Sequence, residues 1–169
     1  MIGLRNLALL GALLVGTVAA GAPAQAARLD AVGLNYPPNM IIIRNHERRL
    51  FFTLGGGEAV SYPVAVGMPS KQWLGYARVD GKYVRPAWSP PAEVKRDKPW
   101  MPAVIQPGPH NPMGERALTL DRGEYAIHGT NMPNSVGKYA SYGCIRMFNT
   151  DIIDLYQRVA VGTVVYVEP

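Results

Sequence analysis

Cys144 is the only cysteine in this chain of 169 residues, and its neighbours could support nucleophilic catalysis. It lies in the segment 141–146 (SYGCIR), downstream of His128, which ends an apolar run. A thiol is mostly protonated at neutral pH, and a nearby imidazole or helix N-terminus shifts it toward the attacking thiolate. We therefore predict that Cys144 is a nucleophile and that His128 is its base.

Polar groups near the thiol could stabilise the charges that form during an acyl-transfer reaction. The consecutive backbone N–H groups of Gly143 and Cys144 could stabilise a tetrahedral oxyanion. The fork-shaped guanidinium of Arg146 is suited to a carboxylate on the substrate. The segment therefore predicts an acyl-transfer site.

Each of these residues also has a purely structural explanation. Cys144 could be a small buried apolar residue or form an intermolecular disulfide. His128 could be a hydrogen-bonded residue at a strand end, and Arg146 could pair with Asp151 or Asp154. Nothing in the residue types alone decides between these alternatives.

The first 26 residues have the pattern of a secretory signal peptide. Arg5 precedes an uncharged apolar run at 7–20, and an A-x-A cleavage motif ends at Ala26. The alternative is a membrane anchor, but the run is shorter than the roughly 20 apolar residues that span a bilayer. We therefore predict export to the periplasm or cell envelope, cleavage after Ala26, and a mature chain at 27–169 without a membrane span.

The composition of the mature chain disfavours some classes of partner and cofactor. The net charge is +5 for the full chain and +4 without Arg5, and it includes no run of Lys or Arg, so nucleic-acid binding is disfavoured and an anionic surface such as a cell wall is favoured. His46, His110, His128 and Cys144 lack the spacing of zinc ligands. We expect neither a metal nor a cofactor.

The elements that must position Cys144 and His128 are predicted to be mostly β-strands. Strands are indicated by β-branched and aromatic runs bounded by turn residues, and one helix by apolar residues at i, i+3, i+4 and i+7 from Ile152 to Val159. Asn149 or Thr150 could cap this helix. The predicted strands are 40–44, 48–54, 59–66, 117–120, 124–128 and 164–167.

A proline-rich region separates the two groups of strands. Residues 68–113 contain 9 of the 15 prolines and all three tryptophans. Because proline removes an N–H donor and fixes φ, we expect ordered loops here, bordering the site, and little regular structure. His46 is expected in a surface turn, and His110 is expected to be structural or to lie at the rim of the site.

The motifs resemble those of the L,D-transpeptidase catalytic domain (the YkuD or ErfK/YbiS type). The resemblance covers roughly residues 40–167, nearly the whole mature chain. It rests on IHGTN at 127–131, SVG at 135–137, SYGCIRM at 141–147, WSPP at 88–91 and PGPHNPMG at 107–114.

The resemblance implies a mostly β fold, a sandwich with one small helix after the catalytic Cys loop. It also implies that Cys144 attacks the third residue of a peptidoglycan tetrapeptide stem and releases D-Ala. The acyl group would then pass to an amine on a second stem (a 3–3 crosslink) or on an outer-membrane protein. His128 would serve as base and then as acid.

The resemblance further assigns roles to individual residues. The carbonyl of Gly129 would orient the imidazole, and Arg146 would contact a substrate carboxylate. Ser141 would hydrogen-bond within the site, and Asn149 would support the Cys loop. The family's commonest motif has His where this chain has Tyr142. The imidazole ring that could contribute to the oxyanion site is therefore replaced, whereas the backbone N–H of Tyr142 remains.

Three other functions stay open at this point. The same site could transfer the acyl group to water, as an L,D-carboxypeptidase or crosslink hydrolase. The fold could instead be a non-catalytic cell-wall binding module, although a binder needs no thiol. A sortase-like enzyme is disfavoured, because its Cys and Arg usually lie on separate strands.

Overall fold

The computed structural model describes residues 28–31 and 36–169, which form one mostly β unit. The helices are α1 (Ala92–Asp97) and α2 (Asn149–Arg158), with 3-10 turns at Pro69–Lys71 and Pro133–Ser135. The strands are β1 (Arg28–Ala31), β2 (Ile41–Arg44), β3 (Arg49–Gly55), β4 (Glu58–Pro63), β5 (Val66–Gly67), β6 (Gly75–Val84), β7 (Arg116–Leu120), β8 (Ala126–His128), β9 (Tyr139–Ser141), β10 (Ile145–Arg146) and β11 (Val164–Glu168).

Nine of these strands form one curled sheet, and β5 and β9 form a separate parallel pair. The sheet order is β1-β4-β3-β2-β11-β6-β7-β8-β10. Strand β6 joins the two halves, because its first part pairs with β11 and its second part with β7. The register shifts between Val79 and Gly81, where a bulge bends the strand.

The core lies between the two halves of the sheet and under α2. Inward side chains alternate along the strands, as in Ala77 and Val79 of β6, while their neighbours face solvent. Full burial of each aliphatic side chain stabilises the fold by about 1.5–3 kcal/mol. The fully buried members of this cluster include Ile41, Ile43, Leu50, Tyr62, Val64, Leu118, Ile127, Met147, Ile152, Leu155 and Val165.

The predicted fold class is confirmed, since the chain is mostly β and α2 follows the Cys144 loop. The third predicted strand, 59–66, is wrong in one respect, because it ends at Pro63 and β5 begins at Val66. Between them, Ala65 forms an isolated bridge with Arg146.

The expectation of little regular structure across 68–113 is wrong in two places. Strand β6 occupies 75–84, a stretch without proline, and α1 occupies 92–97. The loops around them are ordered, as expected. The amide of buried Asn111 donates hydrogen bonds to the carbonyls of Pro86, Ile105 and Gln106.

The capping prediction for α2 is also wrong. The N-cap residue is Phe148, which has no capping side chain, and Asn149 is the first helical residue. Its carboxamide is used in the candidate site instead. No helix in the described part of the chain is long and apolar enough to cross a membrane. The predicted signal peptide and its cleavage site lie outside the described residues.

Candidate active site

Pairing between β8 and β10 brings the predicted catalytic residues onto one face of the sheet. The two strands are parallel, with Ile145 opposite Ile127 and Arg146 opposite His128. Because successive side chains in a strand point to opposite faces, both isoleucines enter the core. His128 and Arg146 therefore share the other face, and Cys144, directly before β10, follows the same alternation.

Cys144 lies on this face among small and apolar side chains. It packs against a cluster formed by Met113, Ala117 and Ala126, with Trp88 beside it. Its Sγ is 3.8 Å from the carbonyl oxygen of Glu124, which can accept a hydrogen bond from the thiol. The surroundings are suited to a neutral thiol at rest.

The electrostatics of Cys144 agree with a protonated resting state. Burial raises the pKa of the thiol, and the charge of Glu124 adds a smaller increase. A backbone hydrogen bond from Ala126 and the charge of Arg146 lower this pKa. The net shift is upward. A thiol in this state would need a base to act as a nucleophile at neutral pH.

His128 is buried and neutral, as a base must be. Its side chain is 4% exposed, and Nδ1 donates a hydrogen bond to the carbonyl of Gly129 at 2.6 Å. Burial and the charge of Arg146 lower the pKa of the imidazole to about 4, although the carbonyls of Gly129 and Pro112 oppose this shift. Since a carbonyl only accepts, Nδ1 holds the hydrogen of the neutral ring, and Nε2 keeps the lone pair.

Asn149 anchors the peptide group that orients this imidazole. Its Oδ1 accepts hydrogen bonds from the N–H groups of Thr130 (3.1 Å) and Glu115 (3.2 Å), and its Nδ2 donates to the Thr130 carbonyl (3.1 Å). The Thr130 N–H and the Gly129 carbonyl belong to the same peptide unit. Asn149 therefore contacts the loop after His128, whereas the resemblance assigned it to the Cys loop.

Glycine at position 129 is required by this contact. A Cβ there would be 2.1 Å from the Asn149 Oδ1, well inside van der Waals contact. The HGT sequence thus permits the carboxamide to approach the backbone directly.

Ser141 holds the loop that contains the thiol. Its hydroxyl donates to the carbonyl of Cys144 at 2.5 Å and accepts from the N–H of Gly143 at 3.1 Å. The Gly143 N–H therefore already has an acceptor. Of the two N–H groups expected to stabilise the oxyanion, that of Cys144 has no acceptor among the described residues. Ser141 contacts the protein backbone in this state.

Two aromatic residues that the sequence did not indicate support the same loop. Trp73 Nε1 donates to the carbonyl of Gly143 at 3.1 Å, and the Trp73 and Tyr125 rings stack 5.4 Å apart. Gly143 has a φ of +116°, and a Cβ there would be 2.4 Å from the Tyr125 ring. A long-range contact of this kind has no local sequence signal.

Tyr142 connects the loop to α1. Its hydroxyl donates to Asp97 at 3.0 Å, and Lys71 forms an ion pair with Glu93 of the same helix. The hydrogen bond to Asp97 raises the pKa of Tyr142. The ring of Tyr142 is therefore engaged with the helix above the loop.

The guanidinium of Arg146 has no carboxylate partner among the described residues. Neither of the two acids considered from sequence pairs with it, because Asp154 binds Arg158 and Tyr62, and Asp151 accepts from Thr150. Burial lowers the pKa of Arg146, yet arginine stays charged in proteins. A half-buried cation without an anion is suited to a substrate carboxylate.

A cavity of about 370 Å³ lies beside the Asn149 carboxamide rather than at the thiol. It is lined by the loop 108–115 and by Thr130, Asn131, Pro133 and Asn149. His110 is exposed in the same loop, and its carbonyl accepts from Asn131. His46 lies apart, in a surface turn. No cluster of three or more His, Cys, Asp or Glu suited to a metal occurs in residues 28–31 and 36–169.

The sequence is similar to known catalytic domains. The profile of the L,D-transpeptidase catalytic domain, YkuD, matches residues 38–167. The probable L,D-transpeptidase YbiS of Escherichia coli K12 is 37% identical over 133 residues, covering 73% of this chain and 42% of that protein. The chain therefore spans less than half the length of this curated relative.

Solved structures show the same architecture. An L,D-transpeptidase from Mycobacterium smegmatis matches 77% of this chain and 58% of its own with a TM-score of 0.62 at 16% identity. An L,D-transpeptidase solved in complex with imipenem matches 76% of this chain and 58% of its own, with a TM-score of 0.59 at 16% identity. At such identities the likeness establishes the fold alone.

Proposed function

This chain belongs to the YkuD family of L,D-transpeptidase catalytic domains, and we propose that it is an exported peptidoglycan L,D-transpeptidase with Cys144 as its nucleophile. One observation supports the proposal most directly. Parallel pairing of β8 with β10 puts a neutral buried imidazole, a thiol and an unpaired guanidinium on one face of the sheet.

In the first half of the proposed reaction, His128 Nε2 accepts the proton of the Cys144 thiol. The thiolate attacks the carbonyl carbon of the third, diaminopimelate-type residue of a tetrapeptide stem. The Cys144 N–H stabilises the developing oxyanion, with the Tyr142 backbone N–H as a second donor. The bond to the terminal D-Ala then breaks, and His128 returns the proton to the departing amine, leaving a thioester on Cys144.

In the second half, an acceptor amine attacks the thioester and gives a proton to His128. Collapse of the tetrahedral intermediate releases the new amide and returns the proton to the Cys144 sulfur. We propose a second stem as the acceptor, with an outer-membrane protein as the other amine source. Arg146 would bind a substrate carboxylate, while Gly129 and Asn149 keep the imidazole in place and Ser141 holds the Cys loop.

The proposal is tested by intact-protein mass spectrometry with a purified tetrapeptide stem. The mature protein should gain the mass of the tripeptide acyl group, and Cys144→Ala should gain nothing. Ser89→Ala is a matched control in the proline-rich loop and should acylate normally. An equal adduct on Cys144→Ala, or no adduct on any form, would reject the assignment.

The acceptor is determined in the same assay by adding a second stem. Formation of a 3–3 dimer supports transpeptidation. If the thioester only hydrolyses to tripeptide with an amine acceptor present, the chain is a carboxypeptidase that uses the same site.

Export is a separate part of the proposal and rests on the sequence of residues 1–26. Expression of the full chain in a Gram-negative host should give a periplasmic protein whose first residue is Ala27. Amino-terminal sequencing identifies this residue. A full-length cytoplasmic protein would contradict this part alone.

A further inference from the structure

A second cleft lies on the outer face of the sheet and is lined by none of the residues assigned to catalysis. It has a volume of about 390 Å³, and we call it the β6 cleft, lined by Tyr76, Arg78, Asp121, Arg122 and Val164. Pockets that hold small molecules usually have volumes of about 300–1,000 Å³. The cleft is large enough for a ring-sized ligand.

Tyr76 gives the β6 cleft a rigid aromatic surface. Its side chain is 64% exposed, although it stacks on Tyr166 with a centroid distance of 4.5 Å. Tyr166 in turn contacts Tyr36 at 6.4 Å. A supported ring that remains open to solvent loses little conformational entropy when it binds an apolar surface.

The polar groups of the cleft combine donors with an acceptor. Arg78 and Arg122 each donate to one backbone carbonyl, those of Gly162 (3.2 Å) and Tyr76 (3.3 Å). Neither has a carboxylate partner among the described residues, so most of their N–H groups remain available. Asp121 accepts the Arg78 backbone N–H through Oδ1, which leaves its second oxygen to accept.

This combination is suited to a neutral sugar ring. A pyranose presents an apolar C–H face that can pack on Tyr76, and hydroxyl and acetamido groups at its edge that both donate and accept. Phosphate is a poorer match because Asp121 would repel it. An apolar peptide is a poorer match because two guanidiniums would lose water without new partners.

The cleft lies close to the Cys loop. The Arg122 guanidinium is 5.1 Å from the centre of the Trp73 ring, and Trp73 Nε1 donates to the carbonyl of Gly143. A single indole therefore separates the edge of the cleft from the residue before Cys144. An extended peptide covers about 3.3–3.6 Å per residue, so three stem residues span about 10 Å, which is long enough to pass one indole side chain.

We propose that the β6 cleft binds a sugar ring of the glycan strand to which the donor stem is attached. This inference rests on the proposed function for the identity of the glycan, and it extends the substrate beyond the peptide. Binding in the cleft would hold the third stem residue near Cys144 and favour stems that are still attached to glycan over free peptides.

The test compares acylation of Cys144 by a disaccharide-tetrapeptide and by the free tetrapeptide, without an acceptor. The wild-type protein should prefer the disaccharide-tetrapeptide, and Tyr76→Ala should reduce acylation by that substrate about tenfold. Acylation by the free tetrapeptide should change less than about twofold. Tyr83→Ala, an exposed tyrosine at the far end of β6, is the matched control and should leave both rates unchanged.

Two results would overturn the inference while leaving the proposed function intact. One is equal acylation of the wild-type protein by both substrates. The other is an equal loss with both substrates in Tyr76→Ala, which indicates a structural role for this tyrosine.

A direct binding measurement is independent of catalysis. In the Cys144→Ala protein, an N-acetylglucosamine tetramer should shift the amide NMR signals of Tyr76, Arg78 and Arg122. These shifts should be lost in Tyr76→Ala and kept in Tyr83→Ala. Binding that is absent, or that shifts other parts of the sheet only, would reject the cleft as a sugar site even if acylation succeeds.

Discussion

At the scale of single residues, His128 and Cys144 share one face of the sheet, and both are neutral at rest. Burial lowers the pKa of the imidazole and raises that of the thiol. In the proposed mechanism the thiolate is therefore produced by proton transfer to Nε2, whereas a thiol whose pKa is depressed is already ionised before the substrate binds. This arrangement limits reaction with oxidants while the site is empty.

The pH dependence of acylation follows from this pair. His128 acts as a base only when it is neutral, and its pKa is lowered from 6.5 to about 4. We expect the second-order rate of acylation to be nearly constant from pH 7 down to about 5.5 and to fall with a midpoint near 4. A stopped-flow pH profile measures it, and a midpoint near 6.5 would show that the imidazole is solvated.

Asn149 is expected to act through the orientation of the imidazole. In Asn149→Ala the Gly129–Thr130 peptide loses its anchor, and the turnover number should fall about 10- to 100-fold because small misplacements of catalytic groups are costly. KM should change little, and the acidic midpoint should stay at or below its wild-type value, because the Gly129 carbonyl contact that is weakened is one that raises the pKa of His128. Asn131→Ala, which removes a surface hydrogen bond to His110, is the control. A large rise in KM at unchanged turnover would instead assign Asn149 to substrate binding.

At the scale of elements, α2 contains a carboxylate at an unfavourable position. Asp151 is only 5% exposed, and its Oδ2 has no hydrogen-bond partner among the described residues. Burial, with a smaller contribution from Asp154, raises the pKa of Asp151 to about 6. Folding therefore favours the protonated carboxyl, and the folded state loses stability as the pH rises from about 4 to about 6.

Asp151→Asn removes this cost. The variant should be more stable than the wild-type protein by about 1 kcal/mol at pH 7.5, and the two should be nearly equal at pH 4. Urea unfolding at the two pH values measures the difference. Asp154→Asn is the contrasting control, because Asp154 is paired with Arg158 and its loss should not stabilise the protein. A variant that is less stable at pH 7.5 would show that the helix N-terminus compensates for the buried charge.

The elements also show which parts of the fold the sequence could predict. Strands such as β2 and β3 have local signals, namely β-branched or aromatic runs that end at turns. The high proline density of 68–113 as a whole obscures strand β6, although 75–84 contains no proline. The alternation of apolar and polar residues around Ala77 and Val79 is the local signal that indicates this strand. Pairing of β8 with β10, and the Trp73 support of Gly143, depend on contacts distant in sequence and have no local pattern.

At the scale of the whole molecule, β11 links β2 to β6, the strand that joins the two halves of the sheet. It is parallel to β2 on one side and antiparallel to β6 on the other. Val165 and Val167 of this strand are buried in the main core. The sheet is therefore continuous only when β11 is in place.

Removal of residues 164–169 should prevent folding, because two long strands would each lose a partner and the core would be opened. Circular dichroism should show loss of the cooperative thermal transition. A chain that begins at residue 32 is the control, since β1 pairs only with β4 at the edge of the sheet and its loss should lower the melting temperature modestly. A cooperative transition in the chain that lacks 164–169 would show that the two halves fold separately.

The central position of β11 also sets the order in which the molecule can be completed. Residues 41–44 pair with residues 165–168, which a ribosome adds roughly 6 to 24 s later at ordinary rates of synthesis. During that interval Cys144 has been made, but the sheet that aligns it with His128 is unfinished. Cys144 and His128 are therefore held in a finished sheet only after β11 is in place.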